Sequence, residues 1–164
     1  MGYYTPRILL SIVAAVTVLF PFIVDFNHTH VYNPRWPGHA VFHAGQTMTL
    51  GPYLGLLSLW LAFRSPTLPW NTPQSLAPQL SLQKQKEDLV VACIVGACYY
   101  ITQWSAIFYP NSLAVDHEFR DHAPVPMPQL LFDIPALMLC AAAWYLETRR
   151  VAKALKGMGG KKEN

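Results

Sequence analysis

The residues able to do chemistry fall into two polar stretches. His28, His30, His39 and His43 lie within residues 25–46, and His117 and His122 within residues 116–122. Asp25, Asp116, Glu118, Asp121 and, a little further on, Asp133 accompany them. Imidazole and carboxylate together do two kinds of work. They ligate zinc or iron, where an open coordination position activates water or oxygen, or they move a proton on a bound substrate. The ligand set this pattern offers is His30, His39, His43 and Asp25, with Glu118 and His122 as additions from the second stretch. Without a metal, Asp25, His30, His39 and His43 carry the proton chemistry, supported by Glu118 and Asp133. His39 and His43 stand at i and i+4, on one face of a helix that begins near His39. His28 and His30, at i and i+2, share a face only in an extended segment. The spacing H-x-H…H-x3-H is moderately specific; it lacks H-E-x-x-H and the repeated H-x-x-H-H boxes of membrane di-iron hydroxylases. Any one of these histidines reads most simply as a loop residue bonded to a carbonyl. The grouping carries the argument.

Positioning these residues falls to an unusually apolar chain. Of 164 residues, 52% are apolar and 13% charged, against about 25% charged in a typical soluble domain. The formal charge of +3 is too small for a nucleic-acid module. The composition also excludes a disordered chain and a disulfide scaffold. A bilayer core of about 30 Å takes about 20 apolar residues, with about 17 as the lower limit. Four stretches meet that length: 8–24, 47–63, 89–108 and 130–146. In lipid each must be helical, because an open backbone has no water to bond. The expected fold is all-α: an integral membrane four-helix bundle, up-down-up-down, forming one domain over residues 1–164. Gly51–Pro52 and Pro135 are expected to bend the second and fourth helices. Residues 65–88 form a proline-rich cytosolic loop and 147–164 a basic cytosolic tail. The first span has no small-x-small cleavage site after it (Val24-Asp25-Phe26-Asn27) and is expected to be retained. Cys93, Cys98 and Cys140 fall inside spans and are expected as free thiols.

Ten of the twelve basic residues lie at the N-terminus, in the loop between spans two and three, and in the tail. By the positive-inside rule both termini are cytosolic, and every histidine then gathers at the opposite end. Trp36, between Pro34 and Pro37, is expected to anchor at the lipid boundary. Asp133, three residues into the fourth span, needs a cavity or a partner such as Arg35 or a protonated histidine. Asn27-His28-Thr29 is a glycosylation sequon, set too close to a span for glycan transfer. Gln103, Trp104, Tyr99, Tyr100 and Tyr109 read as helix-packing and interfacial groups. The ending Lys161-Lys162-Glu163-Asn164 resembles a dilysine retrieval signal, which places the protein in the endoplasmic reticulum membrane.

The run DFNHTHVYNPRWPGHAVFHAGQTMTLGPYLG resembles a family of small, uncharacterised multipass membrane proteins of fungi. The resemblance rests on Asp25, Thr29-His30, Asn33-Pro34, Trp36-Pro37, His39, Phe42-His43 and Gly45-Gln46-Thr47, and implies an integral membrane protein without naming a reaction. A looser likeness, in architecture alone, is to emopamil-binding, sterol-isomerase-type proteins. The expected function is that of a membrane enzyme. It isomerises or cyclises a lipophilic sterol, isoprenoid or polyketide by proton transfer, with zinc or iron as the optional metal. The alternatives are a non-catalytic lipid-binding or scaffold protein and a metal-dependent oxidase. The partners expected are membrane lipid and the substrate, with no nucleic acid; a homodimer or a partner enzyme of the same pathway is compatible with the sequence.

Overall fold

The computed structural model describes residues 2–159, so the dilysine-like ending lies outside the described residues. The described chain is all-helical, without strands. Four long helices form it: α1 (Tyr4–Asp25), α2 (Gly38–Phe63), α3 (Ala77–Ser105) and α4 (Leu130–Gly159). Short 3-10 turns follow at Ala106–Phe108 and His117–His122.

Each helix packs on its sequence neighbours, and α4 returns against α1. Neighbours run antiparallel. Gly51 and Gly55 of α2 meet Thr17 and Ala14 of α1. Arg64 and Ser58, on the α2 side, meet Asp88 and Ala92 of α3. Gln85 and Gly96 of α3 meet Arg150 and Cys140 of α4. Arg7 and Phe20 of α1 meet Glu147 and Phe132 of α4.

The interior is small and partly polar, built on residues such as Ala14, Ala92, Ala143, Thr17 and Ser58. The large apolar side chains point outward, among them Ile8, Leu19, Phe22, Leu56, Trp60 and Trp144. This is the arrangement of helices that meet through small residues while lipid covers the rest. Three helices are long and apolar enough to cross a bilayer: Tyr4–Asp25, Ala77–Phe108 and Leu130–Gly159. The stretch 47–63 is helical but falls short of that apolarity. Its Gly51, Gly55 and Ser58 lower the average and are buried against α1 and α3.

α2 and α4 continue through Gly51–Pro52 and Pro135. Gly51 serves close approach: a Cβ there would stand 2.5 Å from the Thr17 carbonyl oxygen. One expectation is corrected: the proline-rich connection is shorter than 65–88, because α3 starts at Ala77 with Pro78 in its first turn, where the missing N–H costs nothing. Cys93, Cys98 and Cys140 are free thiols.

The contrast between two glycines gives a test. Gly51→Ala is expected to destabilise the protein in detergent by about 1–3 kcal/mol through overpacking. Gly45→Ala, with open space around its Cβ, is expected to be neutral or to stabilise by up to about 1 kcal/mol. Equal melting temperatures for the two variants would contradict the α1–α2 contact.

The end that holds both termini is closed by charge. Glu147 is fully buried and Arg7 is 2% exposed. Glu147 accepts two 2.7 Å bonds from Arg150, from Nε to Oε2 and from Nη2 to Oε1. Arg7 Nη1 stands 3.5 Å from Glu147 Oε1 and donates to the Tyr3 carbonyl at 2.9 Å. The Arg7 guanidinium also stacks on the Tyr3 ring at 3.7 Å. Arg150 continues to Gln85 Oε1 at 3.0 Å. Nearby, Arg64 pairs with Asp88, and that hydrogen bond raises the already high Arg64 pKa further.

Candidate functional site

The opposite end brings the two polar stretches together. Asn33, held in the tight Asn27–Trp36 turns, donates from Nδ2 to Glu118 Oε1 at 2.9 Å. Arg35 forms an ion pair with the same carboxylate. Trp36 Nε1 reaches Asp116 Oδ2 at 3.4 Å, and the His28 ring meets the Phe119 edge at 5.7 Å. The histidine-bearing connections therefore touch, as the spacing of the helices predicts. Trp36 is half-buried between them. Glu118 Oε1 is engaged by Asn33, with Arg35 beside the same carboxylate.

Asn27 shows how local sequence shapes this end. Its Nδ2 donates to the Val24 carbonyl at 2.7 Å, and its Oδ1 accepts from the Thr29 N–H at 2.8 Å and the Thr29 hydroxyl at 2.7 Å. Asparagine at a helix end commonly makes such local turns. The amide nitrogen that a glycan would occupy is thus engaged. Because the Thr29 hydroxyl donates to Asn27, His30 Nδ1–H donates to Thr29 Oγ1 at 2.7 Å. The other ring nitrogen, Nε2, faces Asp25 Oδ1 at 3.6 Å. A second proton on His30 converts this contact into an ion pair.

The expected four-residue metal set does not converge. His30 and Asp25 make one pair and His39 and His43 another, with Nε2 to Nε2 at 3.1 Å. Among the described residues, no group of three or more His, Cys, Asp or Glu side chains could hold one ion. The donor set present therefore does not fit a closed zinc or iron centre, which needs three or four protein ligands. His117 and His122 are exposed on their 3-10 turn.

Another buried polar group lies between the helices. Asp133, in the first turn of α4, is 1% exposed; its carboxyl oxygens make no close hydrogen bond, and the Trp104 indole N–H is a donor within their reach. Arg35, its proposed partner, is bound to Glu118 instead. The Thr17 hydroxyl donates to the Val13 carbonyl at 2.8 Å, so the Tyr100 O–H donates to Thr17 Oγ1, also at 2.8 Å. Phe20 and Phe132 stack at the α1–α4 contact, 3.9 Å between centroids. Sequence reasoning set Tyr99 and Tyr100 aside as packing residues and passed over Thr17. A threonine and a tyrosine within apolar helical stretches, able to bond across them, were the signal available.

Away from this interior, an open apolar groove runs along the outward face of α2, lined by Val41, Phe42, Gly45, Thr49, Leu50 and Tyr53.

Fold and site together define an all-helical protein fit for a membrane, with one ion-paired end and one end bearing a buried, unpaired acid. The chain belongs to DUF6640, a family of unknown function, which it matches over residues 9–157. No curated protein and no solved structure matches the chain.

Proposed function

We propose that this protein is a four-span, up-down-up-down membrane bundle that transfers protons on a lipophilic alkene, of sterol, isoprenoid or polyketide class, at Asp133. α2 crosses with the other three: its small residues face inward, and Leu50, Leu56, Trp60 and Phe63 face outward. The distribution of basic residues supports cytosolic termini and a site at the far end. The dilysine-like ending supports residence in the endoplasmic reticulum.

The observation that carries the reading is the buried Asp133 carboxyl, which makes no close hydrogen bond and has the Trp104 indole N–H as a donor within reach. Buried polar atoms nearly always find partners, and an exception calls for a reason. An ionised carboxylate there would lack the hydrogen bonds that a buried charge requires. Such a group exchanges its proton only with what enters the interior. In the reaction, Asp133 gives its proton to one carbon of a double bond. The carboxylate so formed removes a proton from a neighbouring carbon, so the double bond has moved and the acid is restored. Tyr99 and Tyr100 orient the substrate. The Asp25–His30 pair lies between the interior and water at the non-cytosolic end. His39 and His43 lie on the exposed start of α2 and are not part of this site. The likeness to sterol-isomerase-type proteins supports the substrate class by analogy of architecture.

The test is purified protein in detergent, incubated in D2O with sterol and isoprenoid alkenes and read by mass spectrometry. Wild type is expected to yield isomer carrying deuterium, and Asp133→Asn none. Equal incorporation by both would refute the assignment. No turnover by wild type on any alkene would favour the lipid-binding reading.

A further inference from the structure

We propose that His39 and His43 form a two-imidazole chelating site for a divalent transition-metal ion of the zinc or copper(II) type, independent of the Asp133 site. The two residues stand one helical turn apart near the start of α2, both exposed, with Nε2 facing Nε2 at 3.1 Å. Two nitrogens each about 2.0–2.1 Å from one ion, and about 100° apart around it, lie about 3.1 Å from each other. The rings stand at 82° to one another with centroids 4.5 Å apart.

Gln46 supports the pair. Its Oε1 can only accept, so the contact at 3.2 Å means that His43 Nδ1–H donates to it. The neutral His43 ring then carries its lone pair on Nε2, aimed at His39. A hydrogen bond from the second nitrogen of a ligating histidine is the usual outer support of a metal site, and losing it costs about 10–100-fold in affinity. No third His, Cys, Asp or Glu among the described residues joins the pair. The remaining coordination positions are therefore left to water or an incoming ligand. Imidazole nitrogen selects zinc, copper or nickel over magnesium and calcium. The competing account of the same contact is a plain N–H···N hydrogen bond between the rings.

Full-length protein in detergent is titrated with zinc and, separately, with copper(II), near neutral pH, by calorimetry or equilibrium dialysis. The structure leads us to expect one ion per chain lost, or weakened at least tenfold, in both His39→Ala and His43→Ala. Gln46→Ala should weaken it about tenfold, and His117→Ala should leave it unchanged. Because both rings are exposed, an unchanged melting temperature without metal accompanies these variants, so a loss of binding cannot be a loss of fold. If the double variant binds zinc and copper as wild type does, the pair is only a hydrogen bond and the site does not exist. A weakening as large in His117→Ala as in His43→Ala would equally overturn it, since binding would then be spread over surface histidines.

Discussion

Glu147→Ala is expected to abolish folded protein or lower its stability by about 3–5 kcal/mol, the usual cost of breaking a buried ion pair from one side. Two arginines lose their counter-charge at once: Arg150, bound through both nitrogens, and Arg7, itself buried. Typical stabilities are about 5–15 kcal/mol, so a loss of this size removes a large share of what holds the fold. Glu147→Gln keeps the volume and leaves the same positive charges uncompensated, so it should fall nearly as far. Replacing all three charges together, as Arg7→Met, Glu147→Met and Arg150→Leu, should recover much of the loss. Paired charges of this kind are often replaceable by apolar groups of similar bulk. Size-exclusion recovery and thermal unfolding in detergent read the outcome. A Glu147→Ala protein that melts within a degree or two of wild type would show that the network does not tie α1 to α4.

Much of this architecture is legible in the sequence, and the parts that are not share a cause. Apolar runs locate the four long helices, three of them apolar enough to cross a bilayer. The start of α2 beside His39 follows from the turn residues Pro34, Pro37 and Gly38. The meeting of the two histidine-bearing connections follows from antiparallel helices joined in sequence. What escapes is pairing across the chain. Arg7 and Glu147 each read as charges flanking a span, and nothing in a one-dimensional pattern joins residues 140 positions apart. Glu118 carries no mark that it serves Asn33 and Arg35 rather than a metal. Gly51 beside Pro52 reads as a bend; that it also admits the α1 backbone shows only in the packed helices. The early start of α3 is hidden because its first turns are polar. Asp133 is visible as an oddity, but its isolation is a property of the packed interior.

That isolation sets up a prediction in which stability and activity move in opposite directions. Asp133→Val, of similar bulk, removes two buried oxygens that make no close hydrogen bond, with the Trp104 indole N–H as the donor beside them. It should leave the fold as stable as wild type or stabilise it by about 1–3 kcal/mol, the desolvation cost of an unsatisfied buried polar group. The same change removes the group assigned to give and take the proton, so turnover of the alkene should fall about 10²–10⁴-fold. A structural aspartate behaves in the other way: its loss strands a donor and lowers stability, as expected for Glu147. The melting temperature of Asp133→Val therefore separates the two roles even before a substrate is found. A marked drop would mean that Asp133 holds the helices together and would move the chemistry elsewhere. A gain would mark a position where the fold tolerates an unfavourable group, the usual trade between stability and function at a working site.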